Sequence, residues 1–270
     1  ALSRKDYDTW EQSRSSADAG TGLPDTEEWI QNRYAHPGKP IDGFTPARAC
    51  QVCETPYPVN ADVSVQLFGA DLDKGIVLQA DTQKGADFLE ELHLEPGREP
   101  EGRKALLADL QTLQEKAFQA LETQIQDQTG TMDKLNRFFS ACINCHNCRN
   151  VCPVCYCREC VFHTDVFVHP PFQYLQWADK WGRVSLPFDT VFFHLTRMAH
   201  MGLTCVGCGQ CTLACPVSIP VADLFIAVAR SAQAAFDYKP GADDAEPLPL
   251  SVFQEKEFAD IVGMGGSHDT

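Results

Sequence analysis

Cysteine is the residue type that dominates the chemistry open to this chain. Residues 142–153 and residues 205–216 each read C-x2-C-x2-C-x3-C-P. This spacing is the one with which thiolates hold cubane iron–sulfur clusters, because three closely spaced ligands wrap one loop around the metal centre. The proline fixes φ and has no N–H to donate, so it turns the chain away. Two copies of the run predict a pair of 4Fe-4S clusters.

The fourth cysteine of each run faces away from its own loop. In proteins with two such runs it ligates the other cluster. The sequence therefore predicts two crossed sets of four thiolates. The first set is Cys142, Cys145, Cys148 and Cys215, and the second set is Cys152, Cys205, Cys208 and Cys211.

Structural zinc is the alternative reading of the same cysteines. Zinc also accepts four thiolates and is often held by C-x2-C pairs. Such pairs need neither a third cysteine at the next x2 step nor a fourth before a proline. The full runs therefore favour iron–sulfur clusters over zinc.

Further cysteines remain once the two sets are filled: Cys50, Cys53, Cys155, Cys157 and Cys160. We predict a third metal centre held by Cys50, Cys53, Cys157 and Cys160, with Cys155 as a substitute ligand. Both zinc and a 4Fe-4S cluster accept four thiolates, and we favour the cluster. Such a centre would clamp the N-terminal part of the chain onto the cluster domain.

Histidines near the cysteine runs could also act on a cluster, as ligands or through hydrogen bonds to sulfur. They are His146, His163, His194 and His200. Because the cysteines of the two runs already complete both sets, contact with the ligands is the expected role.

Composition limits the classes of function. The chain has 270 residues, 44% of them hydrophobic, as in ordinary globular proteins. Its net charge of -15 would repel nucleic acid. No apolar run reaches the ~18 residues of a membrane span, and no signal peptide opens the chain. Thirteen cysteines, mostly in metal-ligand spacing, indicate a reducing compartment, and we expect a cytoplasmic protein.

The N-terminal half is predicted to form an α/β unit and a scaffold helix. The α/β unit covers residues 46–98, with a strand at Val63, Val65 and Leu67, a second strand over 75–80 and a helix over 83–92. The scaffold helix lies within residues 99–140. Its apolar positions recur at helical spacing, at Leu106, Leu110, Leu113, Ala117, Leu121 and Ile125.

Residues 141–240 are predicted to form a dicluster ferredoxin domain. Helices are expected between the runs, over 172–180 and from the N-cap Asp189 to about residue 201. A further helix is expected after Pro220, with Ser218 as its cap. These helices favour the α-helical kind of ferredoxin over the β-hairpin kind, so the predicted class is α+β.

The two ends of the chain are predicted to be extended. Residues 1–45 are polar with aromatic islands, and we expect either an extended arm or a partly disordered leader. The absence of Met indicates a trimmed start or the latter part of a longer polypeptide. Residues 241–270 form a tail. Its apolar stretch, residues 248–258, is expected to dock on the chain's own domain or on a neighbouring subunit.

These motifs resemble the beta subunits of formate dehydrogenases, within the family of deazaflavin-coenzyme hydrogenase and dehydrogenase beta subunits. The resemblance rests on the cysteines of residues 142–160, on 205–220, on 236–241 and on the C-x2-C pair at 50–53. It implies an electron-transfer subunit that works beside a catalytic subunit and other electron-transfer or flavin subunits. Members of the family also carry FAD. The flavin-binding part is expected mostly upstream of Cys50, so we expect any FAD outside this chain.

No residue is predicted to be catalytic. The sequence has no dinucleotide fingerprint, phosphate loop or Ser-His-Asp grouping. Electron transfer without catalysis is therefore the predicted role. Two other functions fit the same cysteines. One is an electron-transfer subunit of a heterodisulfide-reductase-like or flavin-based bifurcating complex, and the other is a zinc-stapled assembly scaffold.

Overall fold

The computed structural model describes residues 34–35, 46–58, 60–71, 74–94, 96–155, 157, 159–182, 189–243 and 245–252. The chain divides into two compact units. The first unit comprises Ala1–Ala47 and Cys53–Lys116, and the second comprises Arg48–Val52 and Ala117–Thr270. The expected N-terminal arm, except for residues 34–35, and the end of the tail lie outside the described residues.

Helices dominate the described residues, and the strands form a single small sheet. The helices are α1 (Arg48–Gln51), α2 (Gln83–Glu91), α3 (Arg103–Thr129), α4 (Met132–Phe138), α5 (Asn147–Asn150), α6 (Pro171–Trp181), α7 (Thr190–Met201), α8 (Gln210–Leu213) and α9 (Val221–Ala235). Short 3₁₀ turns cover Val161–His163 and Asp165–Phe167. The strands are β1 (Val63–Gln66) and β2 (Val77–Ala80), so the fold is α+β.

The two strands pair antiparallel in the first unit, with Val63 opposite Ala80. The helix α2 follows, and it begins at a conventional cap in which the Thr82 hydroxyl accepts a hydrogen bond from the Gly85 N–H at 3.1 Å. The predicted strand–strand–helix order of this region is confirmed at the level of its elements.

The buried face of β1 is its polar face. Ser64 and Gln66 are buried, whereas Val65 is 47% exposed. The polar side chains are satisfied, since the Ser64 hydroxyl donates to the Asp81 carboxylate and Arg103 Nη2 donates to Gln66 Oε1 at 2.5 Å. The alternation of apolar and polar residues predicted the position of the strand. It would, however, place the apolar side chains on the buried face, where the structure has Ser64 and Gln66.

The scaffold helix α3 is present close to its predicted limits, and its buried stripe differs in detail. Leu121 and Ile125 are buried as predicted, but Leu113 is 44% exposed and Phe118 is buried instead. The residues of α3 up to Lys116 belong to the first unit, and those from Ala117 belong to the second.

The core of the second unit forms around α9, which contacts α1, α7 and α8. Its fully enclosed side chains include Leu121, Phe139 and Val221. Half-buried cysteines of both runs pack against this core, namely Cys142, Cys152, Cys205, Cys211 and Cys215. The apolar core therefore forms one wall of the cysteine region.

The start of α9 corrects one prediction. Ser218 does not cap the helix, because its backbone is left-handed with φ 56° and the helix begins only after Pro220. The first turn is capped from another element, since the Ala222 N–H donates to Thr212 Oγ1 at 2.8 Å. Thr212 belongs to α8, so this bond ties the second cysteine run to the core helix.

Among the described residues, none of the helices combines the length and the apolar character required to cross a bilayer.

Replacement of Leu121 by Ala is expected to lower the free energy of unfolding by about 2–5 kcal/mol, because a fully buried leucine leaves a cavity. Leu113→Ala is the matched control, since it makes the same change on the exposed side of the same helix and should cost less than about 0.5 kcal/mol. Urea denaturation followed by circular dichroism measures both. Equal losses in the two variants would contradict the burial of Leu121.

Candidate metal centres

The two cysteine runs adopt the same backbone conformation. In the first run, Asn144 and His146 are left-handed, with φ 53° and 57°. The equivalent positions of the second run are Gly207 and Gly209, with φ 66° and 78°. Asn, His and Gly are residues that enter this region more readily than others. A chain that turns at these two points directs its three cysteines to one side of the loop.

The exits from the two loops also match. Each loop leads into a one-turn helix, α5 or α8, and these helices contact each other. The amide of the fourth cysteine closes each turn. Cys152 N–H donates to the Arg149 carbonyl at 3.1 Å, and Cys215 N–H donates to the Thr212 carbonyl at 3.1 Å. The two loops therefore lie next to each other through the contact of α5 with α8.

Side chains hold the first loop against α7. Asn144 Nδ2 donates to the Asp189 carboxylate at 2.8 Å, and the Thr190 hydroxyl donates to Asn144 Oδ1 at 3.2 Å. The His146 ring stacks on Phe193, with ring centres 4.4 Å apart. Asp189 precedes α7 as predicted, but its side chain makes no cap hydrogen bond and binds the cysteine loop instead.

The second loop has Gly207 and Gly209 at the positions that Asn144 and His146 occupy in the first loop. A Cβ at Gly209 would lie 2.7 Å from the Ala49 Cβ, which is closer than van der Waals contact allows. The loop thus packs its bare backbone against α1. The two loops thus share a backbone conformation but are held in different ways. Side-chain hydrogen bonds hold the first loop, and close packing of the backbone holds the second.

The structure brings the first predicted set of thiols together. Burial raises the pKa of Cys142, and the negative charges of Cys145 and Cys215 raise it further. Burial raises the pKa of Cys148 to about 11, and the negative charges of Cys142, Cys145 and Cys215 raise it further. Cys215 is therefore near enough for its charge to act on Cys142 and Cys148, although it belongs to the other run.

The second predicted set lines one pocket. Its walls include Cys152, Cys205, Cys208 and Cys211. Burial raises the pKa of Cys211 to about 12. Burial also raises the pKa of Cys205, and the charges of Cys152 and Cys208 add to the shift. Here too the fourth cysteine is contributed by the other run.

Among the described residues, no three Cys, His, Asp or Glu side chains are arranged to share one metal ion. The ligands of a cubane bind different irons, so they are spread around the cluster. The donor chemistry also fits, since thiolates are the ligands that iron–sulfur clusters require. Both sets fit a 4Fe-4S cluster by residue type and by grouping.

Polar groups contact the sulfurs of the first set. His194 Nε2 lies 3.5 Å from Cys142 Sγ, and the Ile219 N–H donates to Cys215 Sγ at 3.3 Å. Burial lowers the pKa of His194 to about 3, so this ring is neutral. It also stacks on Phe139, with ring centres 3.9 Å apart. His194 thus contacts a predicted ligand, whereas His163 and His200 are exposed.

Comparison with known proteins gives relatives for most of the chain. No protein-family model matches it. It is 30% identical over 210 residues to the F420-dependent formate dehydrogenase 1 subunit beta of Methanococcus maripaludis, covering 74% of this chain and 50% of the relative. It is 26% identical over 218 residues to the F420-dependent formate dehydrogenase subunit beta of Methanocaldococcus jannaschii, covering 78% of this chain and 53% of the relative.

The chain is a relative of formate dehydrogenase beta subunits. The resemblance inferred from the cysteine runs is confirmed. The chain spans about half the length of the curated relatives that it matches.

The sequence analysis missed one residue that contacts sulfur in this relative of formate dehydrogenase beta subunits. That residue is Arg197. Its Nη1 donates to Cys148 Sγ at 3.1 Å and its Nη2 donates to the Cys148 carbonyl at 3.0 Å. The residue is buried. The sequence did contain a signal for this contact. Arg197 is a single arginine within the apolar sequence of α7, and a buried arginine is rarely without a partner.

The cysteines predicted for a third centre are dispersed over several segments. Cys50 is exposed on α1, and Cys53 is the residue at which the chain re-enters the first unit. Cys155 packs against the core of the second unit. Cys160 packs beside Cys148 and Phe162, while Cys157 is exposed. The third centre stays a prediction of the sequence.

Replacement of Gly209 by Ala tests the close packing of the second loop. Gly241→Ala is the control, since Gly241 has a similar φ of 75° but open space where a Cβ would stand. Both variants share the left-handed strain, about 1–2 kcal/mol. Gly209→Ala should lose about 1–3 kcal/mol more, because only its methyl group meets another residue. Unfolding in urea gives the difference, and equal losses would show that the loop has room.

Proposed function

We propose that this chain is an iron–sulfur electron-transfer subunit of a formate dehydrogenase-type complex. The observation that carries the proposal is the grouping of the thiols. The charge of Cys215 acts on Cys148 of the first run, and Cys152 lines a pocket with cysteines of the second run. Crossed ligation by two such runs is the arrangement of proteins with two cubane clusters.

The proposed ligands of the first cluster are Cys142, Cys145, Cys148 and Cys215, and those of the second are Cys152, Cys205, Cys208 and Cys211. A bound 4Fe-4S cluster supplies a site that accepts and releases one electron at a time. The chain's own residues hold and shield it. The apolar core excludes water from one side, while Arg197, His194 and the Ile219 amide contact the sulfurs.

The context of this electron path is proposed from the relatives. Their names describe beta subunits of F420-dependent formate dehydrogenases. By analogy, this chain would carry electrons between a catalytic subunit that acts on formate or carbon dioxide and a flavin-containing or other acceptor subunit. Its free thiols suit a reducing compartment such as the cytoplasm.

Crossed ligation is tested by asking which cluster each fourth cysteine serves. Cys145→Ser and Cys208→Ser supply the reference spectra, because each changes a cysteine in the middle of one run. Cys215→Ser should reproduce the electron paramagnetic resonance spectrum of Cys145→Ser, and Cys152→Ser should reproduce that of Cys208→Ser.

Double variants sharpen this test. Cys145→Ser combined with Cys215→Ser should lose no more than one cluster, because both residues serve the same cluster. Cys208→Ser combined with Cys215→Ser should lose both clusters. If Cys215→Ser instead matches Cys208→Ser, each run ligates its own cluster and the crossed assignment is wrong.

The number of metal centres is tested by metal analysis of the purified chain. Two 4Fe-4S clusters give about eight irons per chain, with an equal amount of acid-labile sulfide. We propose from the sequence that the other cysteines hold a third centre, which raises the count to about twelve irons, or to about eight irons and one zinc. Zinc without iron would contradict the electron-transfer function and support the scaffold.

A further inference from the structure

Arg197 is a buried cation between aromatic rings. Its guanidinium carbon lies 4.8 Å from the centre of the Phe225 ring and 5.6 Å from that of Phe193. The side chain is only 4% exposed. Burying a charge is costly unless the charge is paired and hydrogen-bonded. The environment of Arg197 must therefore contain a group that balances its charge.

The group that contacts Arg197 is Cys148, whose sulfur would carry negative charge as a ligand of the proposed cluster. Over the part of the chain that the structure describes, the ion pairs of arginine and lysine with carboxylates involve other residues, not Arg197. Its two Nη atoms donate to the sulfur and the carbonyl of Cys148, and its Nε has no hydrogen-bond partner among the described residues. An uncompensated guanidinium here would be unfavourable, whereas one beside thiolates is stabilised.

Arg197 reaches both sets of thiols. Cys148 belongs to the first set, and its sulfur is the direct acceptor. Arg197 also lines the pocket formed by the second set. One cation is thus placed next to both groups of sulfur.

We propose that Arg197 is a positioning residue shared by both clusters. It fixes Cys148 through two parallel hydrogen bonds and places one positive charge beside both sets of ligands. This inference rests on the proposed electron-transfer function. It assigns the residue that couples the two centres electrostatically.

The proposal has a direct consequence for reduction. Each one-electron reduction adds negative charge to a centre, and a buried cation stabilises added negative charge. Arg197 therefore favours the reduced state of both centres. The hydrogen bonds act differently, because the fork of donors contacts only Cys148 and a lysine cannot reproduce it.

Replacement of Arg197 by Met keeps the volume and removes the charge, and redox titration of the purified chain measures the result. We expect the reduction equilibrium constant of both centres to fall at least tenfold, which is about 59 mV for one electron. Arg197→Lys should restore the potential of the second centre, since the charge is kept. It should leave the first centre lowered, since the fork to Cys148 is lost.

Arg230→Met is the matched control. Arg230 also belongs to the second unit, stands over an aromatic ring, Phe118, at 3.8 Å and donates to a backbone carbonyl, that of Val52, at 2.6 Å. Its replacement should leave both potentials unchanged. Circular dichroism and iron content are measured on every variant. If the Met variant does not retain iron, the Lys variant alone decides, through unequal shifts at the two centres.

The outcomes separate this inference from the proposed function. Absence of iron from the unsubstituted chain overturns the proposed function and with it the inference. About eight irons per chain, with potentials that do not move in Arg197→Met, overturn the inference alone. Equal shifts in Arg197→Met and Arg230→Met would also overturn it, because a general structural change would then explain both.

Discussion

The contact between α5 and α8 is the interaction on which the cysteine region depends. Each helix is a single turn, too short to be stable alone. Each is followed within two residues by its run's fourth cysteine, and the two helices pack against each other. Each of the predicted crossed sets draws thiols from both runs, so it needs both runs folded against each other. The core helix α9 supports this arrangement, because Thr212 of α8 caps its first turn.

Arg197 shows how far a polar centre can shape an apolar region. A helix that faces a core normally presents apolar side chains there, yet α7 buries an arginine and a histidine on that side. Both contact cysteine, the guanidinium at Cys148 and the imidazole at Cys142. These polar residues belong in the interior because sulfur is there to receive them.

The sequence predicted best where covalent chemistry dictates spacing. The crossed sets follow from the spacing of the two runs, and they stay a prediction of the sequence. Local patterns also located β1 and α3. They failed over which side chains are buried, because Val65 and Leu113 are exposed for reasons set by partners distant in sequence. Arg103, for example, donates a hydrogen bond to the buried Gln66 side chain. A sequence period of two or of 3.6 residues does not predict such a contact between distant residues.

The matching loops of the two runs suggest a history. Residues 142–155 and 205–218 repeat the same turns, the same short helix and the same exit. Duplication of one segment accounts for this repetition, and two copies are free to diverge. In the first copy, Asn144 and His146 bind the loop to Asp189 and α7. In the second copy, the equivalent residues are glycines, and the loop packs closely against Ala49. Divergence of this kind turns two equivalent halves into unequal ones, so the two proposed centres would have different surroundings.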